Sequence, residues 1–174
     1  MGNVKIILDA DVLIHFAKAE KLSLLPTILP RYKYTILSVV YEEVESLHTQ
    51  IDNQILFFNN ITIEEFKPRN EMLIEYSILR HTYGKGESAC MAYCKYTHNV
   101  IGSNLRDIKA YCEKEKISYL TTIDFLYYAY LGKLMSADEC NEFIEVVNNK
   151  GSKLPNIDIT KYKPNTILLR IAFN

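Results

Sequence analysis

Residues 4–8, VKIIL, form a short apolar run that ends directly on Asp9. The run is too brief for a stable helix, and its Val and Ile content suits a strand. A strand with almost no polar alternation is buried on both faces, the habit of parallel sheets. Such a strand needs helices above and below it, so the rest of the chain must supply them.

It does. The spacing predicts helices over residues 11–19 and 22–29, the second ended by Pro30. A strand over 35–37 follows. A helix capped by Ser38 then runs to about Leu47. A weak helix over 52–58 and a strand over 61–66 come next. A helix spans 71–83, and Gly84 and Gly86 separate it from another that begins near Glu87. The remaining elements are a strand at 100–102, a helix at 105–116, a strand at 117–120, and helices at 124–132 and 137–149. Strands alternating with helices build βαβ units, so the expected class is α/β, with a parallel sheet covered on both faces. At 174 residues the chain suits one domain, taken as 1–150. Residues 151–174 form a tail without clear periodicity before 167–171, expected to pack on the domain or on a partner.

Composition excludes several classes. Apolar residues make up 48% and charged ones 24%, far from the profile of a disordered chain. No uncharged apolar run approaches the roughly 18–20 residues of a membrane span. Asp9 and Asp11 interrupt the first apolar run, which breaks signal-peptide grammar. Gly2 invites N-myristoylation, but Ile6 stands where Ser or Thr is wanted. A cytoplasmic location with reduced thiols is therefore expected. Cys90, Cys94, Cys112 and Cys140 form no C-x-x-C pair. Cys90, Cys94 and His98 share a helical face that could mimic a zinc cluster, yet small buried hydrophobes explain the cysteines better.

In parallel α/β sheets, function gathers at the carboxyl ends of the strands. Asp9 ends the first strand, where a carboxylate is partly desolvated and needs partners. Asp11 opens the next helix and also suits an N-cap. After Ser38, Glu43 falls on a stripe with Val39, Val40, Val44 and Leu47, so it is expected to face inward. Glu87 opens the face that carries Cys90, Met91 and Cys94. Each Glu also suits a contact with first-turn amides. Ser103, Asn104 and Asp107 follow the strand at 100–102, with Asn104 also fit to cap a helix and Asp107 to face its dipole.

Carboxylates gathered at strand ends raise one another's pKa unless a cation joins them. Mg²⁺ or Mn²⁺ is the natural partner, since hard cations take oxygen ligands and activate water against phosphodiesters. This expectation needs Asp9, Glu43, Glu87 and the Asn104/Asp107 corner to converge.

Taken together, ILDADVLI, SVVYEEV, GKGES and VIGSNLRDIKAYCEKEKISYLTT, in that order over residues 4–147, resemble the PIN-domain nucleases. The resemblance implies a three-layer α/β/α fold and metal-dependent hydrolysis of RNA phosphodiesters. It also implies the possibility of a toxin with an antitoxin protein, and of a homodimer. By resemblance, Asp9 matches the first metal-binding Asp, Glu43 the helix acid, and Glu87 the Glu of a G-x-G-E variant. Asn104 stands where the family usually has an Asp, so Asp107 or the Asn104 oxygen would have to serve. Asp9, Glu43, Glu87 and Asp107 are thus the candidate catalytic set. Asp9, Glu87, Asn104 and Asp107 are the candidate metal ligands, with Asp11 and Ser103 in support. The implied reaction is in-line attack by a metal-held water that leaves a 5′-phosphate and a 3′-hydroxyl. Lys85, Arg106 and Lys109 are candidates for phosphate contacts. Asp124 is a lesser candidate.

Three other readings stand beside this one. A haloacid-dehalogenase-type phosphatase would use Asp9 as nucleophile, but Val12-Leu13-Ile14 enters a helix where that family has a Gly-Thr turn. A PIN-like module that has lost activity and binds RNA or protein would explain Asn104. A structural α/β domain is the remaining option. Tyr127, Tyr128 and Tyr130 suit core packing better than base stacking.

The near-neutral total, 20 bases against 21 acids, argues against binding nucleic acid by bulk basicity. It conceals blocks. Residues 1–66 carry a net of −4, 67–109 of +3, 110–149 of −4 and 150–174 of +4. A carboxylate cluster filled by a divalent ion changes sign locally, so the expected nuclease holds RNA weakly without metal.

Overall fold

The computed structural model describes residues 4–104 and 106–164, with the side chains of Arg106 and Asp107 outside that description. The chain begins with β1 (Lys5–Leu8), α1 (Ala10–Lys18), a 3₁₀ turn (Leu22–Leu24) and α2 (Leu25–Ile28). Next come β2 (Lys33–Leu37), α3 (Ser38–Glu43), a second 3₁₀ turn (Glu45–Leu47), α4 (His48–Phe57) and β3 (Ile61–Glu64). Then follow α5 (Asn70–Leu79), α6 (Lys85–Thr97), β4 (Val100–Gly102), α7 (Arg106–Glu115), β5 (Tyr119–Leu120), α8 (Thr122–Leu131) and α9 (Ala137–Asn149).

All five strands pair in parallel, in the order β3-β2-β1-β4-β5. Helices flank the sheet, and the architecture is the expected three-layer α/β/α. β1 lies at the centre, and Ile6, Ile7 and Leu8 have no exposure, which accounts for their unbroken apolar run. Edge strand β3 exposes Thr62 and Ile63 instead. Gly102 pairs with Leu8, and a Cβ there would lie 3.2 Å from Leu8 Cδ2 and 3.4 Å from Phe125 Cε2. Its bare backbone lets α8 sit close on the sheet.

Several local expectations change. Ser38 is the first residue of α3, not its cap. Its hydroxyl accepts from the Phe66 N–H at 3.1 Å and ties α3 to the segment after β3. The helix predicted through Leu47 stops at Glu43, because Val44 leaves helical geometry and its N–H bonds Tyr41 O, three residues back. β-branched Val39, Val40 and Val44 weaken helix continuation there. The strand at 117–120 shrinks to Tyr119–Leu120.

All four cysteines are free and buried. His98 is the exposed, left-handed cap of α6, whereas Cys90 and Cys94 are fully buried within it. Tyr128 lies in the core, while Tyr127 is half-buried against the rings of Tyr128 and Tyr162. Residues 151–164 pack on the domain. Asn148 clasps Leu154 through both amide groups, and Ile159 is buried. The stretch at 167–171 lies outside the described residues. Among the described residues, no helix is long and apolar enough to cross a membrane.

Candidate functional site

The chain leaves β1 toward β2 and returns across it to β4, so the strand order reverses between β1 and β4. Crevices at such reversals, outside the carboxyl ends of the strands, are where open parallel sheets bind ligands. Asp9 follows β1 there, and Ser103 and Asn104 follow β4. The Asp9 N–H bonds Gly102 O at 2.9 Å, so pairing of the two strands continues into the site.

Asp9 is 2% exposed. Its Oδ1 accepts from Ala10 N–H at 2.8 Å, making Asp9, rather than Asp11, the cap of α1. Its Oδ2 accepts from the Ser103 hydroxyl at 3.0 Å. Burial pushes the Asp9 carboxyl well above the usual carboxylate range, and Asp11 raises it further by like-charge repulsion. The bonds from Ala10 and Ser103 offset part of that rise. The Asp11 carboxyl is also raised, again first by burial, with hydrogen bonds from Asn104 pulling it back. Asp11 Oδ2 accepts from Asn104 N–H at 2.8 Å, while buried Asp11 Oδ1 has no hydrogen-bond partner among the described residues. A buried carboxylate oxygen without a donor is unusual, because desolvation of a charged acceptor is costly.

Glu87 stands near this pair, since its charge raises both Asp9 and Asp11. It is half-buried, and its carboxylate reaches back to accept from Gly84 N–H at 2.8 Å at the start of α6. Glu43, at the end of α3, is exposed as a residue. Its carboxylate is nonetheless fixed by Gly86 N–H at 2.9 Å. A Cβ on Gly86 would lie 2.5 Å from Glu43 Oε2, so only glycine permits this approach. The Cys90 thiol, fully buried on α6, is pushed up by burial and then by Asp9, Asp11 and Glu43. The acids thus turn toward the opening turns of α6.

Asn104 is committed elsewhere. Its Oδ1 accepts from Thr122 N–H at 2.8 Å, and its Nδ2 donates to Thr122 Oγ1 at 2.8 Å. His15 Nδ1 lies 3.0 Å from that hydroxyl. Burial lowers the His15 pKa to about 4, so the ring is neutral and the consistent assignment has Nδ1 accepting from Thr122. Asp124 is spent structurally: Oδ2 accepts from Thr121 N–H and hydroxyl, and Oδ1 from the Tyr162 hydroxyl. Lys85 and Lys109 are exposed, Lys109 lying 3.9 Å from Glu113. The Asp107 and Arg106 side chains lie outside the described residues.

Sequence reasoning missed His15, Thr122 and Tyr162. His15 was legible in retrospect, one helical turn after Asp11 on a face shared with Val12 and Phe16. Tyr162 carried no comparable signal.

Among the described residues, no three His, Cys, Asp or Glu side chains form a group able to hold a metal ion. The Asp9–Asp11 pair fits a cation that keeps most of its waters, since Mg²⁺ is commonly held by one or two carboxylates. The unpartnered Asp11 oxygen supplies a free donor of the right kind. No protein-family model matches the chain, and a search of curated proteins finds no significant match.

Proposed function

We propose that the chain is a Mg²⁺- or Mn²⁺-dependent phosphodiesterase of the PIN-nuclease type, acting on RNA. The observation that carries this reading is the pairing of buried Asp9 with half-buried Asp11 at the β1–β4 crevice, one Asp11 oxygen being buried and lacking a donor among the described residues. Two neighbouring carboxyls that share the Ser103 hydroxyl and are both raised by burial favour a cation between them. A bound divalent ion would activate water and neutralise charge on the phosphoryl group.

Asp9 and Asp11 would hold the ion, with Asp11 Oδ1 as the free ligand. Ser103 orients Asp9 through its hydroxyl, and the Asn104 N–H orients Asp11. Glu87 lies near enough to add negative potential and to accept a proton from an attacking water. Glu43, fixed on Gly86, sets the position of the α6 start relative to α3. Lys85 and Lys109 are exposed and would meet phosphates at the rim, Lys109 by leaving its loose pair with Glu113. If the chain is a toxin, its antitoxin has exposed apolar side chains to cover: Leu56 and Phe57 at the end of α4, each 80% exposed, or separately Ile74 and Ile78 on α5.

A second reading is a catalytically weakened RNA-binding module. It is favoured by the Asn104 amide, which is occupied by Thr122 rather than turned to the acids. One assay separates the two. Single-stranded RNA is incubated with Mn²⁺ and either wild type or Asp9→Asn. Cleavage by wild type that is lost in the variant is expected. RNA that stays intact with wild type, or cleavage that persists in the variant, overturns the nuclease reading. Acyl-phosphate on Asp9 would instead identify a phosphatase.

A further inference from the structure

A cavity of about 380 Å³ opens between the carboxyl ends of β4 and β5 and the tail. Its size falls within the roughly 300–1,000 Å³ of small-ligand sites. Its walls include Ser103, Asn104, Lys109, Tyr119, Tyr162 and Lys163. This set joins two aromatic rings and two ammonium groups beside the acid pair.

Ser103 makes the connection. It lines the cavity, and its hydroxyl also donates to Asp9. The cavity is therefore separated from the Asp9 carboxylate by the single side chain of Ser103. Lys109 and Lys163 are both exposed, and Lys163 forms no ion pair among the described residues. The Tyr162 ring is held in place, because its hydroxyl bonds the buried Asp124 at 2.7 Å and its edge meets Tyr127 at 5.7 Å between centroids. A fixed ring loses little freedom when a flat ligand covers it.

Aromatic faces beside cations bind single-stranded nucleic acid: bases stack on the rings, and phosphates meet the charges. A duplex keeps its bases stacked on one another and cannot lay one against these rings without unpairing it. We infer that this cavity binds one nucleotide of single-stranded RNA, its base against Tyr119 and Tyr162 and its phosphate on Lys109 and Lys163. The site rests on the proposed phosphodiesterase reading, and it would place the neighbouring phosphate of the strand next to Asp9. The tail thereby becomes one wall of a substrate site.

The test is binding in EDTA, which needs no turnover. The full chain is titrated with a fluorescein-labelled oligouridylate over a series of salt concentrations. The variants are Lys109→Ala/Lys163→Ala, Tyr162→Phe and Tyr162→Ala. The lysine pair should weaken binding at least about fivefold and flatten the salt slope by about 0.7, the value for one phosphate of a single strand. Tyr162→Phe keeps the ring but releases it from Asp124 and should weaken binding modestly, whereas Tyr162→Ala removes the stacking face and should weaken it far more. Uridine 5′-monophosphate should compete, and inorganic phosphate should compete far less. Wild-type affinity and slope in the folded lysine variant would overturn the site. So would equal affinity for duplex RNA, or equal competition by phosphate. If Tyr162→Ala does not fold, the lysine and competitor arms decide. The phosphodiesterase reading is checked separately with bis(p-nitrophenyl) phosphate, which has no base, by comparing wild type with Asp9→Asn. The two ideas can thus fail independently.

Discussion

The Ser103 hydroxyl, on the strand end of β4, donates to Asp9 Oδ2, on the strand end of β1, at 3.0 Å. It is one of the two bonds that offset the burial of Asp9, the other coming from Ala10 N–H. Ser103→Ala removes this donor and leaves a buried carboxylate oxygen without it. The expected cost is about 1–3 kcal/mol, the usual penalty for an unsatisfied buried acceptor. In a chain of this size, that lowers the melting temperature by at least about 2 °C. Thermal unfolding in EDTA at neutral pH measures it. An unchanged melting temperature would mean that the bond has no energetic role.

The acid pair also sets a pH dependence. Asp9 and Asp11 both have carboxyl pKa values raised in the folded chain. Their stabilising contribution is complete below the ordinary carboxylate range and is lost as pH rises through the folded values. His15 acts in the opposite direction. Its pKa falls from 6.5 to about 4 on burial, so its contribution is present above 6.5 and is lost as pH falls toward 4. Between about pH 4 and 6.5 the two contributions oppose one another, and above 6.5 only the carboxyl loss remains, so without divalent ions stability should fall as pH rises from 6.5 toward 8. Asp9→Asn should remove much of the alkaline loss and raise the melting temperature near pH 8 by at least about 2 °C, the effect of roughly 1 kcal/mol. Mn²⁺ should stabilise wild type by mass action and leave the variant unmoved. Equal Mn²⁺ stabilisation of both proteins would count against the pair as the ion's ligands.

Gly86 ties α6 to Glu43. A Cβ there would lie 2.5 Å from Glu43 Oε2 and 3.1 Å from Val40 Cγ2. In Gly86→Ala the flexible Glu43 end must swing away and lose its bond to the residue 86 N–H. Ala favours helix over Gly by about 1 kcal/mol, which offsets part of this loss. The net stability change should stay within about 1 kcal/mol. RNA cleavage, by contrast, should fall at least about tenfold if the α6 start must sit against Glu43, a factor that corresponds to about 1.4 kcal/mol. Parallel unfolding and cleavage measurements give the comparison. Full activity in the alanine variant would free Glu43 from any functional role.

How much of this was legible before the structure depends on the kind of signal. β1 was readable because burial on both faces removes polar alternation from its sequence. Asp9 followed from position alone, since strand ends are where such sheets place ligands. Glu43 was readable in part, since its stripe with Val39 and Val40 lies within α3 and its carboxylate reaches Gly86; the stripe failed beyond it, at Val44 and Leu47, because the helix ends at Glu43 itself. Periodicity carries no information past the point where the backbone leaves the helix. Tyr162 was not legible at all. Its partner Asp124 lies 38 residues earlier, and a single long-range side-chain bond leaves no periodic trace.

That bond is itself testable. Tyr162→Phe leaves Asp124 Oδ1 without its tail donor, while Oδ2 keeps both Thr121 bonds. The change should cost about 1–3 kcal/mol and loosen residues 151–164. Limited proteolysis should then cut the tail earlier than the domain, with the melting temperature lowered. Equal protease resistance would mean that Leu154 and Ile159 alone hold the segment.

Asn104 offers the sharpest discrimination between an active site and a weakened one. Its amide bridges Thr122 and sits 3.3 Å from His15 Nδ1. In Asn104→Asp, one oxygen still accepts the Thr122 N–H. The Nδ2 donor becomes an acceptor, so the Thr122 hydroxyl must turn from His15 to donate to it. His15 then faces an anion, which favours its protonated form and raises its pKa. Acid unfolding should shift accordingly, with the stability loss below pH 6.5 reduced. The added charge also lies beside Asp11, whose Oδ2 accepts the residue 104 N–H. Affinity of an oxygen site for a divalent ion grows with ligand charge, so Mn²⁺ binding should strengthen about tenfold. If cleavage rises with it, the asparagine was limiting an otherwise competent site. If Mn²⁺ affinity stays at the wild-type value while the acid limb moves, residue 104 serves the His15–Thr122 contact and lies outside the ion's reach.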